Sequence, residues 1–134
     1  VKYLLDTCVL SDFARGDAGS LVRIKATPPA LIGISSVTVM EVEFGLALDP
    51  VRARKLAPVM HALLAAVEIL PYGRQDAGAT AALRAALQKS GRPIGAYDAL
   101  IAGCALARGL ILVTSNEREF RRVSGLRVEN WRTR

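Results

Sequence analysis

Leu110-Ile111-Leu112-Val113-Thr114-Ser115-Asn116 decides the fold: four consecutive apolar residues stop abruptly on three polar ones. A run this short and this uniformly apolar suits a strand buried on both faces. The pattern recurs twice. Val1 to Leu5 reads as a strand ending at Asp6-Thr7, and Leu31 to Ile34 as one ending at Ser35-Ser36. Val67 to Leu70 adds a short strand, and Arg127 to Glu129 a last one at the sheet edge.

Helical segments fill the intervals. A short helix runs through Phe13 until Arg15-Gly16-Asp17 breaks it, and Leu21 to Ala26 is a second piece, stopped by Pro28-Pro29. Ser35 or Ser36 caps a helix carrying Val39, Met40, Val42, Glu43, Phe44 and Leu46. Asp49-Pro50 starts another that reaches Ala66, with Pro58 expected to kink or split it. Asp76 to Lys89 and Ala96 to Arg108 follow, the latter with Gly109 at its C-terminal cap. Thr114 to Val123 reads as loop and helix. This alternation predicts an α/β fold, a central, mostly parallel sheet of four to five strands with helices on both faces. Residues 1–134 read as a single domain, the size one core supports.

In open parallel sheets the ligand crevice lies outside the carboxyl ends of the strands. Asp6, Ser35 and Thr114 are therefore expected to converge on one cleft. Asp98 is the only charged residue between Pro93 and Arg108. A carboxylate buried alone costs several kcal/mol or takes up a proton. A bound cation removes that cost. Glu41 follows Val39-Met40 on the helix leaving the second strand. Three carboxylates from separate segments, with no histidine near, suggest oxygen ligands for a hard cation, Mg2+ or Mn2+. Each also has a competing structural role. Asp6 suits a helix N-cap, Thr38 and Glu41 have capping-box spacing, and Asp98 suits the positive end of its helix. Thr114 with Glu117, or Asn116 with Glu119, fits a capping box too.

The net charge of +6 and a pI near 9.9 favour a polyanionic partner. Arginine supplies 14 of the 18 basic residues, and its planar fork suits phosphate. With one histidine and two cysteines a zinc site is not expected. Cys8 and Cys104 read as buried free thiols of a cytoplasmic protein. No apolar run reaches the roughly 18 residues that span a bilayer, and no signal peptide precedes the first strand. His61 reads as a helix surface residue, and Trp131 as packing the C-terminal segment onto the body.

Five segments in order resemble a known family: Leu4-Leu5-Asp6-Thr7, Ser35 to Val42, Gly91 to Asp98, Leu112 to Asn116, and Arg118 to Trp131. They are similar to the PIN domain, in particular to the VapC toxins of toxin–antitoxin pairs. The resemblance implies a Mg2+- or Mn2+-dependent endoribonuclease that cuts structured RNA, often tRNA. It also implies a homodimer held inactive by a cognate VapB-like antitoxin. By that resemblance Asp6, Glu41 and Asp98 form the acidic triad and ligate the metal. Asn116 and Glu119 line the site, with Asn116 where many PIN domains have Asp, and Thr114 orients water or a carboxylate. Cys8 departs from the family's common asparagine.

Arg92, in the loop before the Asp98 helix, and the basic run Arg118, Arg121 and Arg122 are candidate phosphate contacts. With only seven aromatics, a stacking platform is not expected. Excess apolar surface on Val51–Ala66 and Asp76–Leu87 suggests a dimer or antitoxin face. An aspartate-nucleophile phosphatase needs a second Asp where Cys8 stands, and a receiver domain needs an acidic pair and a phosphoacceptor strand that the chain lacks. The remaining alternative is a catalytically silent module binding RNA or protein on the same fold.

Overall fold

A computed structural model describes residues 1–133. Five strands form one sheet: β1 (Tyr3–Leu5), β2 (Ile32–Ser35), β3 (Glu68–Leu70), β4 (Ile111–Val113) and β5 (Val128–Glu129). Their order is β3-β2-β1-β4-β5, and every neighbouring pair is parallel. The chain thus begins at the sheet centre, builds outward through β2 and β3, then returns to lay β4 on the other side of β1. The direction of winding reverses between β1 and β4, where Leu4 pairs with Leu112 and Leu5 with Val113. A crevice at the carboxyl ends is forced at that point, because the connections leave the two strands on opposite sides.

Helices cover both faces: α1 (Thr7–Ala14), α2 (Ala18–Ala26), α3 (Ser36–Leu48), α4 (Pro50–Ala66), α5 (Arg74–Lys89), α6 (Ala96–Arg108) and α7 (Glu117–Phe120). Strand alternation splits the core in two. Leu4, Leu70 and Leu112 pack with α5, α6 and Phe120, whereas Leu5, Ile34 and Val113 pack with α1, α4 and Trp131. Consecutive apolar residues in the central strands β1 and β4 are what two covered faces require.

Several boundaries differ from the sequence reading. β1 starts at Tyr3, since Val1 and Lys2 are exposed. β2 starts at Ile32, because Pro29–Leu31 forms a 3-10 turn. β3 excludes Val67, β4 excludes Leu110 and β5 excludes Arg127. α2 begins at Ala18, three residues early, because the Asp17 carboxylate accepts from Ser20 N and caps it. α5 begins at Arg74, with Asp76 reaching back to Gly73 N (2.7 Å). α4 continues through Pro58 instead of splitting. Pro58 and Arg54, whose carbonyl loses its partner, both lie on the exposed side, where the missing bond is open to solvent. Tight α5–α6 packing has a specific cause: a Cβ on Gly103 would stand 2.9 Å from Thr80 Cβ, so only glycine fits.

Candidate active site

Asp6 leaves β1 at the switch point, with its backbone N–H donating to Val113 O of β4 (3.1 Å). It is 2% exposed. Its Oδ1 accepts from Val9 N (3.0 Å), capping α1, so the structural role foreseen for it is real. The same carboxyl bonds the Thr114 hydroxyl and feels the charges of Asp98 and Glu41. Burial above all, and then these two carboxylates, push Asp6 up to about 7 against the pull of the Thr114 and Val9 bonds. One side chain therefore holds a helix and faces an acidic cleft.

Glu41 arrives from α3. That helix starts at Ser36 with Ser35 as its cap (Val37 N to Ser35 Oγ, 3.1 Å), so Thr38 and Glu41 form no capping box. Glu41 instead points at α1, where Thr7 Oγ1 donates to its Oε1 (2.8 Å). Asp98 sits in the first turn of α6, half-buried, and is pushed up to about 6 by burial, then by Glu119 and Glu41. Sequence reading did not single out Thr7, whose signal is its place directly after the strand-ending aspartate.

Glu119 is fixed from two sides. Gly95 N donates to its Oε1 (2.8 Å) and Asn116 Nδ2 to its Oε2 (2.7 Å). The Gly95 bond first, then Asn116 and the charge of Arg122, hold its carboxyl below the ordinary range. Asn116 precedes α7 but makes no side-chain cap, and Thr114 Oγ1 accepts from Asn116 N (2.9 Å). The two capping boxes weighed for Thr114 and Asn116 are therefore absent. Gly95 also supplies room: a Cβ there would lie 3.3 Å from Asp98 Oδ2 and 3.8 Å from Glu119 Oε1.

Asp6, Glu41, Asp98 and Glu119 thus form a chain of mutually repelling carboxylates. Among the described residues none of Asp6, Glu41 and Asp98 has a Lys or Arg within ion-pair distance. Nor do three of Asp, Glu, His and Cys close into a ready-made cage there. An all-oxygen, open set of this kind fits a hard ion that keeps several of its own waters.

The comparisons with known proteins agree with this architecture. The model of the PIN domain matches residues 3–126. The chain belongs to the PIN-domain family. A tRNA(fMet)-specific endonuclease VapC of Shigella flexneri is 38% identical over 131 residues, 98% of each chain. A DNA-bound VapBC crystal structure from Salmonella typhimurium superimposes with a TM-score of 0.89 at 36% identity, covering 98% of each chain. VapBC2 of Rickettsia felis bound to a promoter DNA fragment gives 0.89 at 26% identity, over 98% of this chain and 99% of that one.

Within this PIN domain, Cys8 is exposed, not buried: Val9 and Leu10 take the core-facing positions of α1. Its thiol is pushed up to about 11 by desolvation and by the charges of Asp6 and Asp98, so it stays protonated at neutral pH. Cys104 is buried as expected. Of the basic candidates, Arg92 and Arg118 are exposed and without a side-chain partner among the described residues. Arg121 is held by Glu117 (2.7 Å), and Arg122 donates to Pro93 O (3.0 Å), so both also have structural duties. His61 lies on the surface against Glu43 (2.7 Å). Trp131 is buried edge-on to Tyr3 at 5.1 Å and packs the C-terminal segment as expected.

Proposed function

We propose that this chain is a divalent-cation-dependent endoribonuclease toxin that cuts structured RNA, with tRNA as the substrate class. A VapB-like antitoxin neutralises it. The observation that carries the reading is the mutual repulsion of Asp6, Glu41 and Asp98 beside the β1–β4 switch point, with no Lys or Arg paired to any of the three among the described residues. The names of the relatives support it: an endonuclease specific for tRNA(fMet), and a toxin–antitoxin complex from Klebsiella pneumoniae that is 26% identical to this chain.

Asp6, Asp98 and Glu41 would hold Mg2+ or Mn2+. The chemistry such an ion supplies is activation of water and neutralisation of charge on the phosphodiester in the transition state. Thr114 and Val9 N fix the Asp6 carboxyl, and Thr7 fixes that of Glu41. Glu119 bonds the residue at which α6 starts, and so sets where Asp98 stands. Without the ion Asp6 keeps its proton to about pH 7, so loading the site displaces a proton and strengthens with pH. Arg92 and Arg118 contact phosphates, which makes binding salt-sensitive.

The chain works in the cytoplasm, and no helix among the described residues is long and apolar enough to cross a membrane. It forms a homodimer. The support is an apolar stripe on α3, Met40, Phe44 and Leu48 at helical spacing, continued by Val51; Phe44 is 61% exposed. Incubation of a total tRNA pool with the purified chain tests the enzymatic reading. Discrete fragments in Mg2+ or Mn2+ that disappear in EDTA support it. Intact RNA under every metal leaves the silent binding module instead.

A further inference from the structure

Beside the acid cluster a groove of about 320 Å3 opens between α1, α3 and α4, and it shares Thr7 and Glu41 with the cluster. Leu46, Leu56 and Met60 make its lining apolar, while Arg15 and Arg52 stand in its walls. Arg15 lies 3.6 Å from Asp12, and Arg52 is exposed with no ion pair among the described residues. Ser11 and Asp49 add polar groups at the rim.

Gly45, in the same wall, is the informative residue. It lies inside α3, where glycine costs about 1 kcal/mol relative to alanine. Its φ is not positive, and nothing lies within 4 Å of the position a Cβ would take. Neither the backbone nor the chain's own packing asks for glycine there. An occupant that approaches the helix backbone closely gives it a reason.

We propose that this groove is a subsite for an unpaired base of the RNA, adjacent to the cleaved bond. The proposal rests on the nuclease reading and deepens it. A base has two flat apolar faces, which suit the Gly45 backbone on one side and Leu56 and Met60 on the other. The Asp49 carboxylate, whose Oδ1 takes the Arg52 N–H, repels a phosphate from the groove itself, while its other oxygen accepts from the amino edge of a base. Arg15 and Arg52 then meet the flanking phosphates. Bases with an exocyclic amino group are favoured over uracil, and an unstacked base is what proteins read in RNA. The volume is at the lower end of small-ligand pockets, enough for one nucleotide and not for a duplex.

The test is an NMR titration of the full chain in EDTA with CMP and with UMP, for wild type, Gly45→Leu and Arg52→Gln. Leucine favours helix, so Gly45→Leu should fold and fill the groove. CMP is expected to move the amides of Gly45, Leu46 and Ala53, and to bind about tenfold more tightly than UMP. Affinity should fall by about tenfold in Gly45→Leu and about threefold in Arg52→Gln, with KM for tRNA cleavage rising in parallel and kcat held. Amide shifts confined to other surfaces, or CMP affinity unchanged in both variants, overturn the proposal. If Gly45→Leu keeps CMP binding and cleavage but no longer captures the antitoxin, the groove holds a protein segment and the base subsite is wrong. Groove binding of CMP in a wild type that cleaves nothing would remove the nuclease reading and leave a nucleotide site. Normal wild-type cleavage with unchanged KM in both variants would remove only the subsite.

Discussion

Asp6 and Asp76 are equally buried, at 2% exposure each, yet their surroundings are opposite. Asp76 accepts from Gly73 N and lies 3.3 Å from the Arg108 guanidinium, which also donates to Pro71 O. Its charge is neutralised inside the fold, between α5 and α6. Asp6 faces Asp98 and Glu41, and its carboxyl is driven toward protonation. Asp12 belongs with Asp76: it is buried, but Arg132 stands 3.2 Å and Arg15 3.6 Å away. Burial alone therefore does not mark a functional acid. What separates the two regions is the sign of the neighbouring charge: arginines compensate Asp76 and Asp12, whereas other carboxylates face Asp6.

The contrast breaks most sharply at catalysis. Asp6→Asn should lower tRNA cleavage by about a thousandfold or more, about 4 kcal/mol in the barrier. The same variant should remain folded, because an amide oxygen still caps α1. Arg108→Met is the mirror experiment. It strands Asp76 without its cation and should cost about 2 kcal/mol in chemical denaturation, less than for a fully buried pair because Arg108 is partly exposed. Cleavage per folded molecule should not change. Equal losses of stability and activity in both variants would erase the distinction between the regions.

Gly95→Ala sharpens the comparison at smaller amplitude. The added methyl presses on Asp98 Oδ2, and a shift of a few tenths of an ångström should lower kcat by about tenfold with little change in stability. The pH dependence of the metal-free chain follows from the same crowding. Asp6 titrates near 3.8 when unfolded and near 7 when folded, and Asp98 moves from 3.8 to about 6. Between these values the folded state binds more protons, so stability falls as pH rises from about 4 through 7. Thermal melts in EDTA at successive pH values read this directly, and Mn2+ should restore more stability at pH 8 than at pH 5. The smallest effect is expected at the basic surface. Arg118→Ala should reduce the salt slope of RNA binding by about one contact, and Arg121→Ala by less, since Glu117 already holds Arg121.

How far the sequence discloses this depends on distance along the chain. Each strand that ends in a polar group announces its place, so Asp6 and Thr114 are readable, and Asp98 stands out against a helix of small apolar residues. Glu41 is readable as a candidate, but its hydroxyl partner belongs to Thr7, 34 residues away, and no local pattern shows that bond. Capping signals mislead where the helix starts elsewhere: Thr38 and Glu41 have the right spacing but lie inside α3. Asp76 escapes notice because Arg108 is remote in sequence, and so does Asp12, whose nearer arginine in space, Arg132, stands at the other end of the chain; an unpaired acid looks the same as a paired one until the chain is folded. Cys8, near the start of the chain, reads as a buried free thiol, yet the helical turn at α1 directs it outward.

The most direct test is cleavage of a total tRNA pool in Mn2+ by wild type and Asp98→Asn, with Mn2+-dependent melting measured on the same samples. The account predicts discrete fragments and a raised melting temperature for wild type, and loss of both in a folded Asp98→Asn. A folded Asp98→Asn that cuts the same bonds at the wild-type rate would contradict it.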